Sequence, residues 1–302
     1  MASKYDKYVQ KLQFTSDGPG YYREVATLDG NTMGLNAHIQ YGVYHAAGDM
    51  VAENKGPHTH EFDQIMLFYG ADAADMGELG AEIELHIGEE GEKYMITSST
   101  AVAVKKGTPH FPATIQRMDR RFVFVTISCT AEYSETPYPI DKKKLERAPY
   151  GGFSSKYRPC TVPMAFIRKG SWMYGEKNRD DSGGHLSFVH GNDPDFPWLV
   201  MIESIKKVPY RFMPEPDKPH AHTKPEILFF LGTDLNDATR LNGEAEICLG
   251  KEMVKYTITE PTAVVVPAKL AHNPLVITKL DKPIMMMDVR PEGTDIVAIK
   301  NQ

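Results

Sequence analysis

The residues of this sequence best equipped for chemistry are histidines that occur in two matching sets. His58-x-His60 and His220-x-His222 each place two imidazoles on one face of an extended strand, because strand side chains alternate with a period of two. Four residues after the second copy comes Glu226, and another imidazole, His272, follows fifty residues after His222, just past an apolar run. His110 holds the corresponding place in the first half. Three neutral imidazoles and a carboxylate suit divalent Fe, Mn, Co, Ni, Cu or Zn, and three or four protein ligands leave positions open for substrate or water. A single histidine on an apolar strand is more often a satisfied core residue. Here a whole set recurs in register, and a core role does not require that.

The recurrence extends well beyond the histidines. An offset of 162 residues carries Pro57–Asp119 onto the second half without a gap, matching His58 to His220, Gly70 to Gly232, Asp75 to Asp237, Gly88 to Gly250, Tyr94 to Tyr256 and His110 to His272. Upstream the register shifts by one, so that Asp29-Gly30-Asn31 lies over His190-Gly191-Asn192. The repeat units are roughly 18–130 and 179–291, too long for a solenoid and right for a duplicated domain. Within each unit, apolar segments of four to eight residues alternate with Gly, Pro, Asn and Asp, and no 3.6-residue stripe is sustained. Predicted strands are Ile39–Tyr44, Gln64–Tyr69, Ala81–Ile87, Lys93–Thr97, Ala101–Val104 and Phe122–Ile127, then the same set from Leu199–Ile205 to Met285–Val289. The fold class expected is all-β, as two tandem antiparallel jelly-roll barrels. The expected divisions are 1–135, a turn-rich linker over 136–160 that contains Lys142-Lys143-Lys144 as a solvated face, and 161–302, with a helix over Lys4–Leu12.

Composition narrows the function classes. The 302 residues carry 34 basic and 40 acidic side chains, a formal charge of −6, so there is no field for nucleic acid or anionic lipid. No apolar run approaches the ~18 residues of a membrane span, and Met1–Lys7 has no apolar signal core, which leads to a cytoplasmic expectation. Cys129, Cys160 and Cys248 are odd in number and widely spaced, and are read as reduced thiols. Met285-Met286-Met287 reads as core filling, His185 and His190 as loop residues, and the alternating Glu82/Glu84 and Glu244/Glu246 as solvent-facing.

The His-x-His, Glu226 and Gly232 spacing, with Pro267 and His272 after a strand and Gly107, Pro109 and His110 in the first half, resembles the bicupins, two-domain members of the cupin superfamily. The resemblance implies a pair of small barrels, each holding a divalent transition metal, iron foremost with Mn, Zn, Ni, Co or Cu as alternatives. It also implies a second site of His220, His222, Glu226 and His272, with Glu226 as ligand or general base. In the first site, His58, His60 and His110, the glutamate position is taken by Gln64, which has no charge and takes no proton. Two readings stay open there: a three-histidine metal site, or a degenerate site kept for structure. Arg290, which with Asp288 ends the last apolar strand, is a candidate clamp for a substrate carboxylate or one partner of a surface or interdomain ion pair, and Arg211, beside Tyr210, carries the same ambiguity. The activity expected is a metal-dependent enzyme, an oxidoreductase of the dioxygenase type, on a small dicarbonyl, enol or phenolic substrate. The alternatives are a redox-neutral lyase, hydrolase, decarboxylase or isomerase, or a non-catalytic binding protein. Open sheet edges lead to an expected homodimer or larger homo-oligomer.

Overall fold

The computed structural model describes residues 3–15, 22–50, 56–152, 154–157, 161–167, 182–189, 198–212, 218–291 and 296–297. The chain forms two units, one of Gln13–Ala71 and Gly77–Met164, the other of Met1–Leu12, Asp72–Met76 and Ala165–Gln302. All strand pairings between named strands are antiparallel, in keeping with the all-β expectation.

In the first unit one sheet runs in the order Thr161–Pro163, Thr100–Val104, Gln64–Gly70, Phe122–Ser128, His38–Tyr44, Tyr22–Leu28 and Phe14–Thr15. Its other sheet runs Thr136–Pro137, His58–Thr59, His110–Met118, Ala81–Ile87 and Glu92–Ile96. Alternate residues of the two sheets meet: Met66, Phe68, Val102, Val104, Phe122 and Phe124 from one pack with Ile83, Leu85, Ala113 and Ile115 from the other, as a period of two requires. The second unit repeats the plan. Its larger sheet contains Thr262–Val266, Glu226–Gly232, Ile284–Arg290 and Leu199–Ile205, and the smaller one contains His272–Leu280, Gly243–Leu249 and Val254–Ile258. Six strands of one unit map onto six of the other by the same offset of 162 at both ends, Gln64–Gly70 onto Glu226–Gly232 among them.

The structure departs from the sequence reading at the unit boundaries. Residues 1–12 group with the second unit instead of with 13–135, and 136–164 belong to the first unit instead of forming a separate linker. The reason is edge pairing. Val9–Lys11 adds to the free edge of Thr262–Val264, and Thr161–Pro163 adds to that of Thr100–Val102. The two arms are themselves repeats at an offset of 152, Ser3-Lys4-Tyr5 matching Ser155-Lys156-Tyr157. Each tyrosine ring lies over a glycine with positive φ: a β-carbon at Gly250 (φ +78°) would sit 2.0 Å from Tyr5, and one at Gly88 (φ +90°) 2.0 Å from Tyr157. The helix expected over Lys4–Leu12 is therefore a single 3-10 turn, Asp6–Tyr8, followed by a strand, because an open row of backbone donors and acceptors outweighs weak local propensity. The lysine triplet starts a short helix, Lys142–Glu146, capped by the Asp141 carboxylate and anchored by buried Leu145.

One consequence is testable in a fragment. Residues 160–302 lack the arm that covers Thr262–Val266, an uncharged and mostly β-branched edge, so the fragment should run as aggregate on a sizing column. A compact, metal-loaded monomer would contradict the covering role of the arm.

Candidate metal centres

The second centre starts from backbone pairing. His220 and His272 exchange backbone hydrogen bonds of 3.0 and 2.9 Å, and the N–H of Lys269 donates to the carbonyl of His222 at 2.7 Å. These bonds bring the three ring centroids to 4.2–5.1 Å from one another, with ligand atoms all within 4.8 Å. Glu226 opens the adjacent strand, and its Oε2 lies 3.4 Å from His222 Nε2 and 3.1 Å from His272 Nε2. His222, Glu226 and His272 are all buried.

The first centre has the same plan. His58 and His110 face each other across the ladder, and the ring centroids of His58, His60 and His110 are 4.5–5.0 Å apart. The Nδ1 of His60 lies 2.6 Å from the carbonyl of Ser134 and that of His110 lies 3.0 Å from Thr108, so each donates through Nδ1. That tautomer leaves an Nε2 lone pair, and both Nε2 atoms are buried without a hydrogen-bond partner. His272 repeats the arrangement, its Nδ1 being 3.3 Å from Leu270 O.

These atoms form a test for a cation. In the second centre an imidazole lone pair and a carboxylate oxygen, both acceptors, face each other at 3.1 Å in a buried setting, and Glu226 Oε2 has no hydrogen-bond partner. Each such orphan costs about 1–3 kcal/mol, so a cluster of them persists only where a proton or a metal ion satisfies it. The donor set fits a divalent metal.

No protein-family model matches the chain, and no curated protein matches it in sequence. Solved structures do. The oxalate decarboxylase of Bacillus subtilis, a protein with Mn(II) centres, superposes with a TM-score of 0.60 at 10% identity, over 99% of this chain and 81% of its own. The Lactobacillus farciminis oxalate decarboxylase in its formate complex gives 0.59 at 10% identity, over 99% and 89%. The chain has the bicupin fold. At this identity the likeness is one of fold, and it agrees with the two-barrel expectation.

What distinguishes the two barrels is charge. Arg290 Nη2 donates to Glu226 Oε1 at 2.6 Å, while its Nε and Nη2 clasp Asp288 at 2.7–3.2 Å, and all three residues are buried. Glu226 and Asp288 with Arg290 leave one net negative charge beside the histidines when both carboxylates are ionised, and none when Asp288 is protonated. At the corresponding places the first barrel has Gln64 and Ser128, joined by a neutral hydrogen bond of 3.1 Å from Gln64 Nε2, with Oε1 left without a partner. Burial alone would raise the pKa of Glu226, but the Arg290 guanidinium holds it well below the usual carboxylate range. Asp288 is pushed up to about 7, by burial first and then by Glu226, against the pull of Arg290. The two carboxylates share one guanidinium and titrate as a unit.

Several sequence-predicted residues take other places than expected. Arg290 is neither at the surface nor free to clasp a ligand with its whole fork, since it is committed to two buried carboxylates. Arg211 is exposed on the strand Tyr210–Arg211, whereas Tyr210 is fully buried and donates to Glu203. His185 lies on the strand Ser182–Val189, not in a loop, and His190 and Cys160 fall outside the described residues. The three methionines are buried core, and Glu82 and Glu246 form ion pairs with Arg117 and Lys255. Cys129 and Cys248 are free thiols whose pKa burial raises. Among the described residues no helix is long and apolar enough to cross a membrane. Sequence reasoning missed Asn273, whose side-chain amide lies 2.8 Å from His220 Nδ1. Its repeat counterpart, Phe111, instead stacks on His58. The signal was a difference between the copies immediately after the third histidine.

Burial sets how these centres respond to acid. His220 is pushed down to about 3, by burial and then by the neighbouring imidazoles, and His60 and His110 are lowered for the same leading reason. A histidine depressed on folding stays neutral while the unfolded chain takes up protons, so its contribution to stability is present above about pH 6.5 and fades as the pH falls. Asp288, raised, has the opposite sign: its contribution fades as the pH rises toward about 7. Neutral imidazoles keep their lone pairs for a metal, so metal should survive dialysis at about pH 5, where an ordinary histidine is mostly protonated. Elemental analysis showing loss with a midpoint near pH 6.5 would contradict this.

Proposed function

We propose that this chain is a metal-dependent enzyme whose catalytic centre is His220, His222, His272 and Glu226, and that it cleaves a carbon–carbon bond of a small carboxylate-bearing, oxygen-rich substrate without net oxidation, as in decarboxylation. The observation that carries the reading is the buried cluster of imidazole and carboxylate acceptors, with the Glu226 carboxylate held by Arg290. A mixed nitrogen and oxygen donor set suits Mn(II) or Fe(II), and the fold is shared with Mn(II) oxalate decarboxylases, which supports Mn(II). A divalent ion there would supply Lewis acidity to substrate oxygens and stabilise the negative charge that develops on them.

The protein's own residues do the positioning. Arg290 holds Oε1 of Glu226, which fixes Oε2 toward His222 and His272. The lowered pKa keeps Glu226 anionic, which favours ligation over proton donation in the resting site. Substrate oxygens take the positions the four side chains leave open. In decarboxylation the carbon–carbon bond breaks, CO2 leaves, and the electron pair kept by the other carbon is taken up by a proton, so no oxidant is consumed. Dioxygenation with iron, expected from the sequence, finds no support in the neighbouring folds. The first centre, without a carboxylate, is proposed as the weaker metal site.

The test is an assay of metal-loaded protein with oxalate and related dicarboxylates and 2-oxo acids, following CO2 and O2 together. CO2 release without stoichiometric O2 uptake supports the reading. Stoichiometric O2 uptake, or no CO2 from any of these substrates, would overturn it.

A further inference from the structure

A cavity of about 410 Å³ lies against His222 in the second unit, lined among others by Tyr5, Gly250, Lys251, Lys269 and Leu270. Its size suits a small ligand. Lys251 and Lys269 are exposed and, among the described residues, neither side chain is engaged in an ion pair or a hydrogen bond. The first barrel serves as an internal control for them. At the positions of Thr223, Lys251 and Lys269 it has Glu61, Glu89 and Gly107, so a carboxylate stands where the second barrel has the Lys251 ammonium, a second where it has Thr223, and a glycine where it has Lys269.

The backbone at Lys269 adds an independent observation. Gly107 sits at φ +75° with its N–H on the carbonyl of His60, and Lys269 sits at φ +68° with its N–H on the carbonyl of His222. The turn is one that glycine adopts freely, yet the second barrel keeps a long cationic side chain there despite the steric penalty. A β-carbon at Gly107 would meet nothing within 4 Å, so the turn gives the side chain open space. Strain retained beside a candidate metal-ligand histidine, where the other copy of the turn, Lys105-Lys106-Gly107, places a glycine, points to a task for the side chain.

We infer that this cavity is an anion-binding subsite serving the second centre, where Lys269 and Lys251 hold a carboxylate of a small dianionic substrate. The inference rests on the second centre being catalytic and adds the substrate's charge. The two ammonium groups attract a dianion to this barrel, whereas the first barrel has Glu89, paired with Lys156, in place of Lys251 and a glycine in place of Lys269.

The experiment is calorimetric titration of the metal-loaded full chain with oxalate and with its uncharged diamide, oxamide. Wild type is expected to bind oxalate and not oxamide, and Lys251→Gln and Lys269→Gln should each weaken oxalate binding about tenfold, with metal content unchanged. Lys269→Gly should weaken it equally while leaving the melting temperature the same or higher, since glycine relieves the left-handed turn. Variants that bind oxalate like wild type, oxamide binding as tight as oxalate, or no oxalate binding at all would overturn the subsite. Oxalate binding that depends on the lysines without CO2 release would sink the proposed reaction and leave the subsite standing. Turnover with KM unchanged in the lysine variants would do the reverse.

Discussion

Arg290→Ser should destabilise the second unit by about 3–5 kcal/mol, because it strands two buried carboxylates, Glu226 and Asp288, beside each other without a counter-charge. The first barrel shows how the same fold manages without the arginine. It carries Gln64, Thr126 and Ser128 at the three positions, and Gln64 bonds Ser128 directly. The triple variant Glu226→Gln, Asp288→Thr, Arg290→Ser should therefore recover most of the lost stability while losing the charge of the centre. Denaturant unfolding of wild type, single and triple variants, all metal-free, measures this. A single variant as stable as wild type would mean that the guanidinium does not neutralise the pair. A triple variant no better than the single would mean that packing, not charge, sets the cost.

Glu226→Gln tests the function of the same group. It keeps the shape and removes the charge, and turnover should fall by about 10²–10⁴-fold. Because the lowered pKa favours ligation, metal content of the second centre should fall along with activity. Near wild-type turnover with normal metal loading would make Glu226 a spectator.

Much of this was legible in the sequence because the chain carries two copies of one solution. Strand bounds such as His110–Met118 and His272–Leu280 follow the 162-residue offset, and the histidine spacing located both triads. The arms were not legible from local pattern. Val9–Lys11 has no strand signal of its own and becomes a strand only against Thr262–Val264, although the Ser-Lys-Tyr match at offset 152 was present to be found. The role of Arg290 was open for a similar reason: nothing in its neighbours shows whether a guanidinium at a strand end turns outward or into the barrel, and only the cross-strand register brings it to Glu226. Asn273 was hidden because its counterpart, Phe111, does its work by ring stacking, so the two positions share a place and not a chemistry.

The second barrel is the one proposed to hold the catalytic metal centre. The most direct measurement is metal content and turnover of His222→Ala and His60→Ala, side by side. His222→Ala should lose the more tightly held metal ion and essentially all activity, while His60→Ala keeps that ion and most of the turnover. Equal loss from the two variants, or greater loss from His60→Ala, would contradict the assignment.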